Sequence, residues 1–254
     1  MIRPGAIGDF IVSLPALESL CGTEPGDYTE VWCAEQNVPL ARFAERTQSI
    51  ISAGLDRLGF LPADDVMERL HSFDSIISWY GTNRPEFRTL VADLPFEFLP
   101  ALPLDGNLHA VDFYNRQALG LGGGVASRFP VIPCPVAART FAVIHPFASS
   151  LVKRAPMEVF TAAAETLSAV MPVHWLCGPA EDLPAAVRIG NLFDLAVWLS
   201  QARVYVGNDS GISHLAASVG TPVTAFFTCT EARVWAPRGP SVDIVSQLLN
   251  TDSR

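Results

Sequence analysis

Four places in this chain carry side chains whose type and setting could do chemistry. The first is Arg3-Pro4-Gly5-Ala6-Ile7-Gly8-Asp9, a glycine-bearing turn that opens a helical pattern. Glycine lets the backbone approach a ligand closely, and a helix start offers free N–H groups with a partial positive charge. Asp9 is then either a first-turn residue that complements its helix or a carboxylate able to take a proton from a substrate hydroxyl. The second place runs from His145-Pro146 through Ser149 and Ser150 to Lys153-Arg154. Its serines and cations could hold an anion, or simply form a solvated loop. The third is Cys177-Gly178-Pro179-Ala180-Glu181-Asp182. Glu181 could accept hydrogen bonds from two vicinal ribose hydroxyls, or cap a helix over 181–189. The fourth is Gly207-Asn208-Asp209-Ser210-Gly211-Ile212-Ser213-His214, after a strand pattern and before a helical one. Ser210 and the first helical N–H groups could cradle a diphosphate. Asp209 is equally an N-cap, and His214 equally a packed imidazole.

Several familiar chemistries are missing. Gly120-Leu121-Gly122-Gly123-Gly124 is followed by Val125, so the dinucleotide fingerprint GxGxxG is not completed. No Walker lysine follows Gly8. Ser210 is the fourth residue of Gly207-Asn208-Asp209-Ser210-Gly211, which does not match the nucleophile elbow GxSxG. The five cysteines (Cys21, Cys33, Cys134, Cys177 and Cys229) are scattered rather than paired, which fits reduced, mostly buried thiols and no zinc site.

These segments must be held by regular elements, and the patterns supply them. Apolar runs predict strands over 30–34, 49–53, 75–80, 96–99, 140–145, 173–177, 203–206, 223–227 and 242–245. Phe10, Leu14, Leu17 and Cys21 share a helical face, as do Phe160, Ala163, Ala164 and Leu167, and Ile212, Leu215, Ala216 and Val219. Runs such as Phe141-Ala142-Val143-Ile144 are apolar throughout, as in parallel strands covered on both faces. Strands alternating with helices point to an α/β fold. A Gly/Pro-rich seam between Gly120 and Arg139 divides the chain into residues 1–125, a linker at 126–139 and residues 140–254. Two Rossmann-like domains facing across a cleft are expected.

Composition narrows the partners. The chain has 254 residues, 49% of them hydrophobic, and a formal net charge of −9. That excludes a disordered chain and a broad nucleic-acid surface, which needs a basic footprint. Lys153 is the single lysine among 17 basic residues. No run reaches the roughly 18 apolar residues of a membrane-spanning helix. Asp9 and Pro15 interrupt any leader-like segment, so a cytoplasmic protein is expected.

In order along the chain stand Ile7-Gly8-Asp9, Leu14-Pro15-Ala16-Leu17, His145-Pro146, Lys153 ahead of Pro156, and Gly178-Pro179 with Glu181. Gly207-Asn208-Asp209-Ser210-Gly211, His214-Leu215-Ala216-Ala217 and Gly220-Thr221-Pro222 follow. This set resembles glycosyltransferase family 9, which includes the ADP-heptose:lipopolysaccharide heptosyltransferases. The resemblance implies a GT-B fold, an acceptor-holding first domain and a donor-holding second one. It also implies inverting, metal-independent transfer of a sugar, heptose in that family, from a nucleotide diphosphate donor to a glycan or lipid-linked saccharide. No cofactor is implied beyond the nucleotide-sugar, ADP-heptose or similar. Work at the inner face of a membrane, without a transmembrane segment, is implied as well. By matching positions, Asp9 is the implied base and Lys153 the implied phosphate-binding cation. Gly8, Ser149, Glu181, Asp209, Ser210, Gly211 and His214 complete the implied donor site. The first domain is expected to be shortened, because only Met1 and Ile2 precede Arg3; either the start lies upstream or part of its sheet is lost. Arg84, Arg88 and Arg116 are candidates to meet an anionic acceptor. The competing readings are a non-catalytic nucleotide-sugar or glycan-binding module and a sugar-nucleotide epimerase of related fold.

Overall fold

A computed structural model describes residues 1–22, 26–59, 64–103 and 106–246. Its first half reads β1 (Ile2–Arg3), α1 (Ile7–Ile11), α2 (Leu14–Ser19), β2 (Glu30–Cys33), β3 (Arg46–Ser49), α3 (Asp64–His71), β4 (Ile76–Ser78), α4 (Pro85–Leu90), β5 (Phe96–Phe98) and α5 (Ala110–Gly120). After a stretch without regular structure come β6 (Phe141–His145), α6 (Met157–Ser168), β7 (Val173–Trp175), α7 (Leu192–Ser200), β8 (Ala202–Asn208), α8 (Gly211–Ser218), β9 (Val223–Phe227), α9 (Ala232–Trp235) and β10 (Val242–Ser246). The strands form two five-stranded sheets, ordered β3-β2-β1-β4-β5 and β10-β9-β8-β6-β7, and every recorded pairing is parallel.

The order of strands locates the crevices. In an open parallel sheet, a crevice opens at the carboxyl ends of strands where the winding reverses. That point lies between β1 and β4 in the first sheet and between β6 and β8 in the second. The segments that leave β1, β6 and β8 are the ones carrying Asp9, Lys153 and Ser210. The first strand, short as it is, sits at the centre of its sheet, with Ile2 opposite both Trp32 and Ser78.

Three elements differ from the sequence patterns. The predicted helix over Phe10–Leu20 is broken into α1 and α2 at Val12 and Ser13, just ahead of Pro15. The third strand covers Arg46–Ser49 rather than 49–53, because the chain turns back at Ile50–Gly54. No helix forms over 181–189. Pro184 lacks the N–H a helix interior needs, and Ala185 takes a left-handed φ of 59°. The cysteines are all free, but only Cys33 and Cys177 are buried and Cys229 is exposed. Among the described residues, no helix is long and apolar enough to cross a membrane.

One apolar cluster runs through both halves. Phe10, Ile11, Leu17 and Tyr114 of the first belong to it together with Leu195, Leu199, Tyr205 and Leu215 of the second. The tightest approach is between α1 and α8. A Cβ built on Gly211 would stand 2.6 Å from Ile7 Cβ and 3.0 Å from the Gly8 nitrogen, and one on Gly8 would stand 3.1 Å from His214 Cδ2. Any side chain at Gly211 would force the two backbones apart. His214 is 5% exposed and its Nδ1 has no partner among the described residues. Burial holds its pKa at about 4, with Asp209 pulling it up and His109 and Lys153 pushing it further down.

Gly211→Ala should therefore destabilise the protein by about 1–3 kcal/mol in urea unfolding. The control Gly190→Ala, with nothing within 4 Å of its added Cβ, should stay within about 0.5 kcal/mol of wild type. The His214 imidazole binds its proton in the unfolded chain near pH 6.5 but in the folded chain only near 4. Stability should then fall as pH is lowered from about 7 towards 4, this one group contributing up to about 1.4 kcal/mol per pH unit. His214→Gln should remove that component, seen as a smaller difference between urea midpoints at pH 7 and pH 5.

Candidate functional site

A cleft of about 460 Å³ lies where the two halves meet. Ala6, Ile7, Gly8 and Gln36 line it from the first half; His145, Ser149, Gly178, Glu181, Ser210 and Gly211 line it from the second. The rest of its wall is largely apolar, with Leu176, Pro179, Ile189, Leu192 and Leu195. A second cavity, of about 510 Å³, opens by Met1, Glu30 and Arg69 at the amino ends of β1, β2 and β4. That end of a parallel sheet carries no crevice of the switch-point kind, and none of the candidate residues reaches it.

The fourth sequence segment forms the floor. β8 ends in Asn208, whose side chain is fully buried. Its Oδ1 accepts from the Ala155 N–H at 2.8 Å and its Nδ2 donates to the Pro146 carbonyl at 2.8 Å, so one amide ties down both ends of the loop carrying Lys153. Ser210 is the N-cap of α8, its Oγ accepting from the Ser213 N–H at 3.4 Å. The first N–H groups of α8 are thereby presented to the cleft at a concentrated partial positive charge. Lys153 closes a short 3-10 turn, Leu151–Lys153, and donates from Nζ to Asp209 Oδ2 at 2.7 Å. The Asp209 side chain is 7% exposed and that of Lys153 is 31% exposed, so the cation is held at the mouth of the site.

Glu181 sits on the wall. Its Oε2 accepts from the Gly178 N–H at 2.6 Å and faces His145 Nε2 at 3.1 Å, while Oε1 has no hydrogen bond among the described residues. Burial works to raise its pKa, but the hydrogen bonds from His145 and Gly178 and the charges of His145 and Arg154 outweigh it and hold the carboxyl below its ordinary value. An ionised carboxylate with a free oxygen beside an apolar slot can accept the hydroxyls of a ribose whose base fills the slot.

Across the cleft, Asp9 lies in the first turn of α1 and is only partly buried. Its carboxylate makes no hydrogen bond or ion pair among the described residues. Its backbone is fixed from below by Arg3, 3% exposed. The Arg3 guanidinium donates to the Asp9 carbonyl at 3.0 Å, the Pro4 carbonyl at 2.9 Å, Ser13 Oγ at 3.3 Å and the Tyr114 hydroxyl at 2.7 Å. Burial pushes the Tyr114 phenol up to about 12, against the pull of Arg3, so it stays protonated and passes its own hydrogen bond to the Ala101 carbonyl.

Of the residues singled out from sequence, Gly8, Ser149, Glu181, Ser210 and Gly211 line the cleft; Asp9 and Asp209 are chain neighbours of lining residues without lining it, His214 packs against Gly8, and Lys153 is paired with Asp209. Arg84 lies over the Tyr80 ring and Arg88 over the Phe98 ring, both exposed, and Arg116 is on the exposed face of α5. Sequence reasoning had Arg3, His145 and Asn208 within its candidate segments but gave them no role of their own, and it missed Tyr205. Asn208 had a detectable sign, a carboxamide ending an apolar strand; Arg3 and Tyr205 had none. Among the described residues, no group of three or more His, Cys, Asp and Glu side chains is placed to hold a metal ion.

Comparison with known proteins accords with this geometry. The family model of glycosyltransferase family 9 (heptosyltransferase) matches residues 114–253. No curated protein matches the chain by sequence. Among solved structures, E. coli heptosyltransferase WaaC with ADP superposes at a TM-score of 0.74 and 18% identity, over 97% of this chain and 92% of that one. E. coli ADP-heptose lps heptosyltransferase II does so at 0.74 and 14%, over 98% and 90%. A glycosyl transferase family 9 protein from Veillonella parvula gives 0.70 and 14%, over 97% and 85%. With that match over more than half its length and the GT-B architecture of these neighbours, the chain belongs to glycosyltransferase family 9.

Proposed function

We propose that this protein is an inverting glycosyltransferase that moves a sugar, heptose by the example of its neighbours, from an ADP-linked donor to an acceptor hydroxyl on a glycan or lipopolysaccharide-type saccharide. The observation that carries the reading is the pairing of two unlike walls. One holds an ionised Glu181 beside an apolar slot and the positive end of α8; the other holds Gly8, followed directly by Asp9, whose carboxylate has no partner among the described residues. We assign the acceptor to residues 1–125 and the donor to residues 140–254, with 126–139 as the linker. The structure of E. coli WaaC with an ADP-2-deoxy-2-fluoro heptose, a further neighbour at a TM-score of 0.69 and 18% identity, supports an ADP-linked donor. The lipopolysaccharide-linked neighbours make the inner face of a membrane the place to look for the acceptor.

In the reaction we propose, the acceptor oxygen attacks the anomeric carbon from the face opposite the diphosphate. Its proton passes to Asp9 as the new C–O bond forms. The bond from the anomeric carbon to the diphosphate oxygen breaks, and ADP leaves with the electron pair. One displacement inverts the anomeric centre. Charge collects on the leaving diphosphate, where Lys153, Ser210 Oγ and the N–H groups opening α8 meet it, without a metal ion in the role. Asp209 keeps Lys153 in place beforehand; the incoming phosphates then compete with that carboxylate for the ammonium. Ser149 lies on the same side of the cleft as Glu181 and adds a hydroxyl donor. His214 stays neutral and packs Gly8 rather than contacting phosphate.

Calorimetry should show ADP binding, with GDP and UDP weaker, and radiolabelled ADP-heptose should transfer to a deacylated lipopolysaccharide acceptor. ADP binding with no transfer in a broad acceptor screen would leave a binding module, and isomerisation of the donor alone would make it an epimerase. Asp9→Asn should cut turnover by roughly 10²–10⁴-fold while leaving ADP affinity within about two-fold. Normal turnover in that variant removes Asp9 from the mechanism. Lys153→Ala should weaken ADP binding about tenfold or more and slow transfer. Lys153→Arg should bind ADP yet transfer slowly, because a planar guanidinium cannot take the place of a compact ammonium beside Asp209.

A further inference from the structure

The wall that holds Glu181 is backed by a buried chain of side chains that the proposed reaction does not use. His145 closes β6 and is 2% exposed; Tyr205 lies in the neighbouring strand β8 and is fully buried. His145 pairs in register with Gly207, and a Cβ on Gly207 would stand 2.5 Å from the Tyr205 hydroxyl. The missing side chain is what lets the phenol fold back along its own strand to reach the imidazole. The Tyr205 hydroxyl lies 3.1 Å from His145 Nδ1, and His145 Nε2 lies 3.1 Å from Glu181 Oε2.

The donors and acceptors along this chain can be assigned. A carboxylate only accepts, so Nε2 must carry the hydrogen that faces Glu181. With Nε2 so engaged, Nδ1 is left to the Tyr205 hydroxyl, 3.1 Å away. Ser213 Oγ, on α8, donates its one proton to the Asn208 carbonyl and lies 3.3 Å from the Tyr205 hydroxyl. Glu181 Oε2 is thus held from two sides, by Gly178 N–H and by His145. Oε1 has no hydrogen bond among the described residues, and Glu181 lines the cleft.

We infer that His145, held in place by Tyr205, is a positioning residue that sets the Glu181 carboxylate to read the donor's ribose hydroxyls. The inference rests on the proposed nucleotide reading and deepens it. His145 touches neither reacting atom. It acts through Glu181, so its loss is felt by the hydroxyls and not by the phosphates or the base. Because the chain continues through Ser213 to the N-terminal turn of α8, ribose recognition and the diphosphate loop share one scaffold.

The test compares ADP with 2′,3′-dideoxy-ADP in the full-length protein by calorimetry. Wild type should prefer ADP, and Glu181→Ala should lose the preference. His145→Ala should weaken ADP about tenfold, leave 2′,3′-dideoxy-ADP unchanged and so lose most of the preference. His145→Gln, whose side-chain amide can still donate towards Glu181, should restore a large part of it. Tyr205→Phe should fall between the two, since the imidazole stays but loses the hydroxyl that holds its Nδ1 edge. The results separate cleanly. No ADP binding by wild type, or an unchanged preference in Glu181→Ala, overturns the nucleotide reading together with the inference. A preference lost in Glu181→Ala but kept in both His145 variants overturns the inference alone. Equal weakening of both nucleotides in His145→Ala and His145→Gln also overturns it, because that is what a merely structural histidine would give.

Discussion

Helix α8 passes against helix α1 with Gly211 set on Ile7 and Gly8 set on His214, and the site depends on that contact. Gly211 and Gly8 leave the two backbones closer than any Cβ would permit. Each helix starts at the switch point of its own parallel sheet, so bringing their first turns together brings the two crevices together. The consequence is electrostatic as well as geometric. Helix starts carry free N–H groups and a partial positive charge, and two such ends at one cavity are comfortable only with negative charge between them. On the proposed reading, a chain with a net charge of −9 would receive its anionic donor at this small region, where Lys153 stands paired with Asp209.

Around this contact, buried polar groups do the positioning and the apolar residues do the stabilising. Asn208 spends one amide on tying two ends of a loop; Arg3 spends one guanidinium on fixing the first turn of α1 from below. Both are out of water, where an unpaired polar group is costly and a satisfied one is rigid. His145 and Tyr205 repeat the pattern behind Glu181. The groups with free valence are Asp9, next to the lining residue Gly8, and one oxygen of Glu181, which lines the cleft.

Much of this was legible in the sequence. Uninterrupted apolar runs such as Phe141–Ile144 marked parallel strands because such strands are covered on both faces, and the glycines before two helices marked close backbone approach, which the structure shows to be between α1 and α8 themselves. The helix over 181–189 misled because acidic residues after Gly178-Pro179 look like a first turn; Pro184 and the left-handed Ala185 decide otherwise. Helix α7 left no amphipathic pattern, since Leu192, Phe193, Leu195, Ala196, Val197, Trp198 and Leu199 are apolar on nearly every side. Arg3 read as a turn residue because its partner Tyr114 is 111 positions away. His145 read as part of an anion loop because Tyr205 and Glu181, 60 and 36 positions distant, define its role. Contacts of that kind are products of the fold and have no local pattern.

The apolar cluster that threads both halves has a further consequence, for how the molecule comes apart. Phe10, Leu17 and Tyr114 on one side and Leu195, Tyr205 and Leu215 on the other share one cluster, so each half, beside a smaller cluster of its own, completes its interior against the other. The two should melt together in a single cooperative transition rather than one after the other. The stretch over 121–140, which holds neither helix nor strand and exposes Val125 and Val136, is where a protease would enter. A cut there would break the chain without releasing either piece, and the nicked protein would travel as one particle until it was denatured.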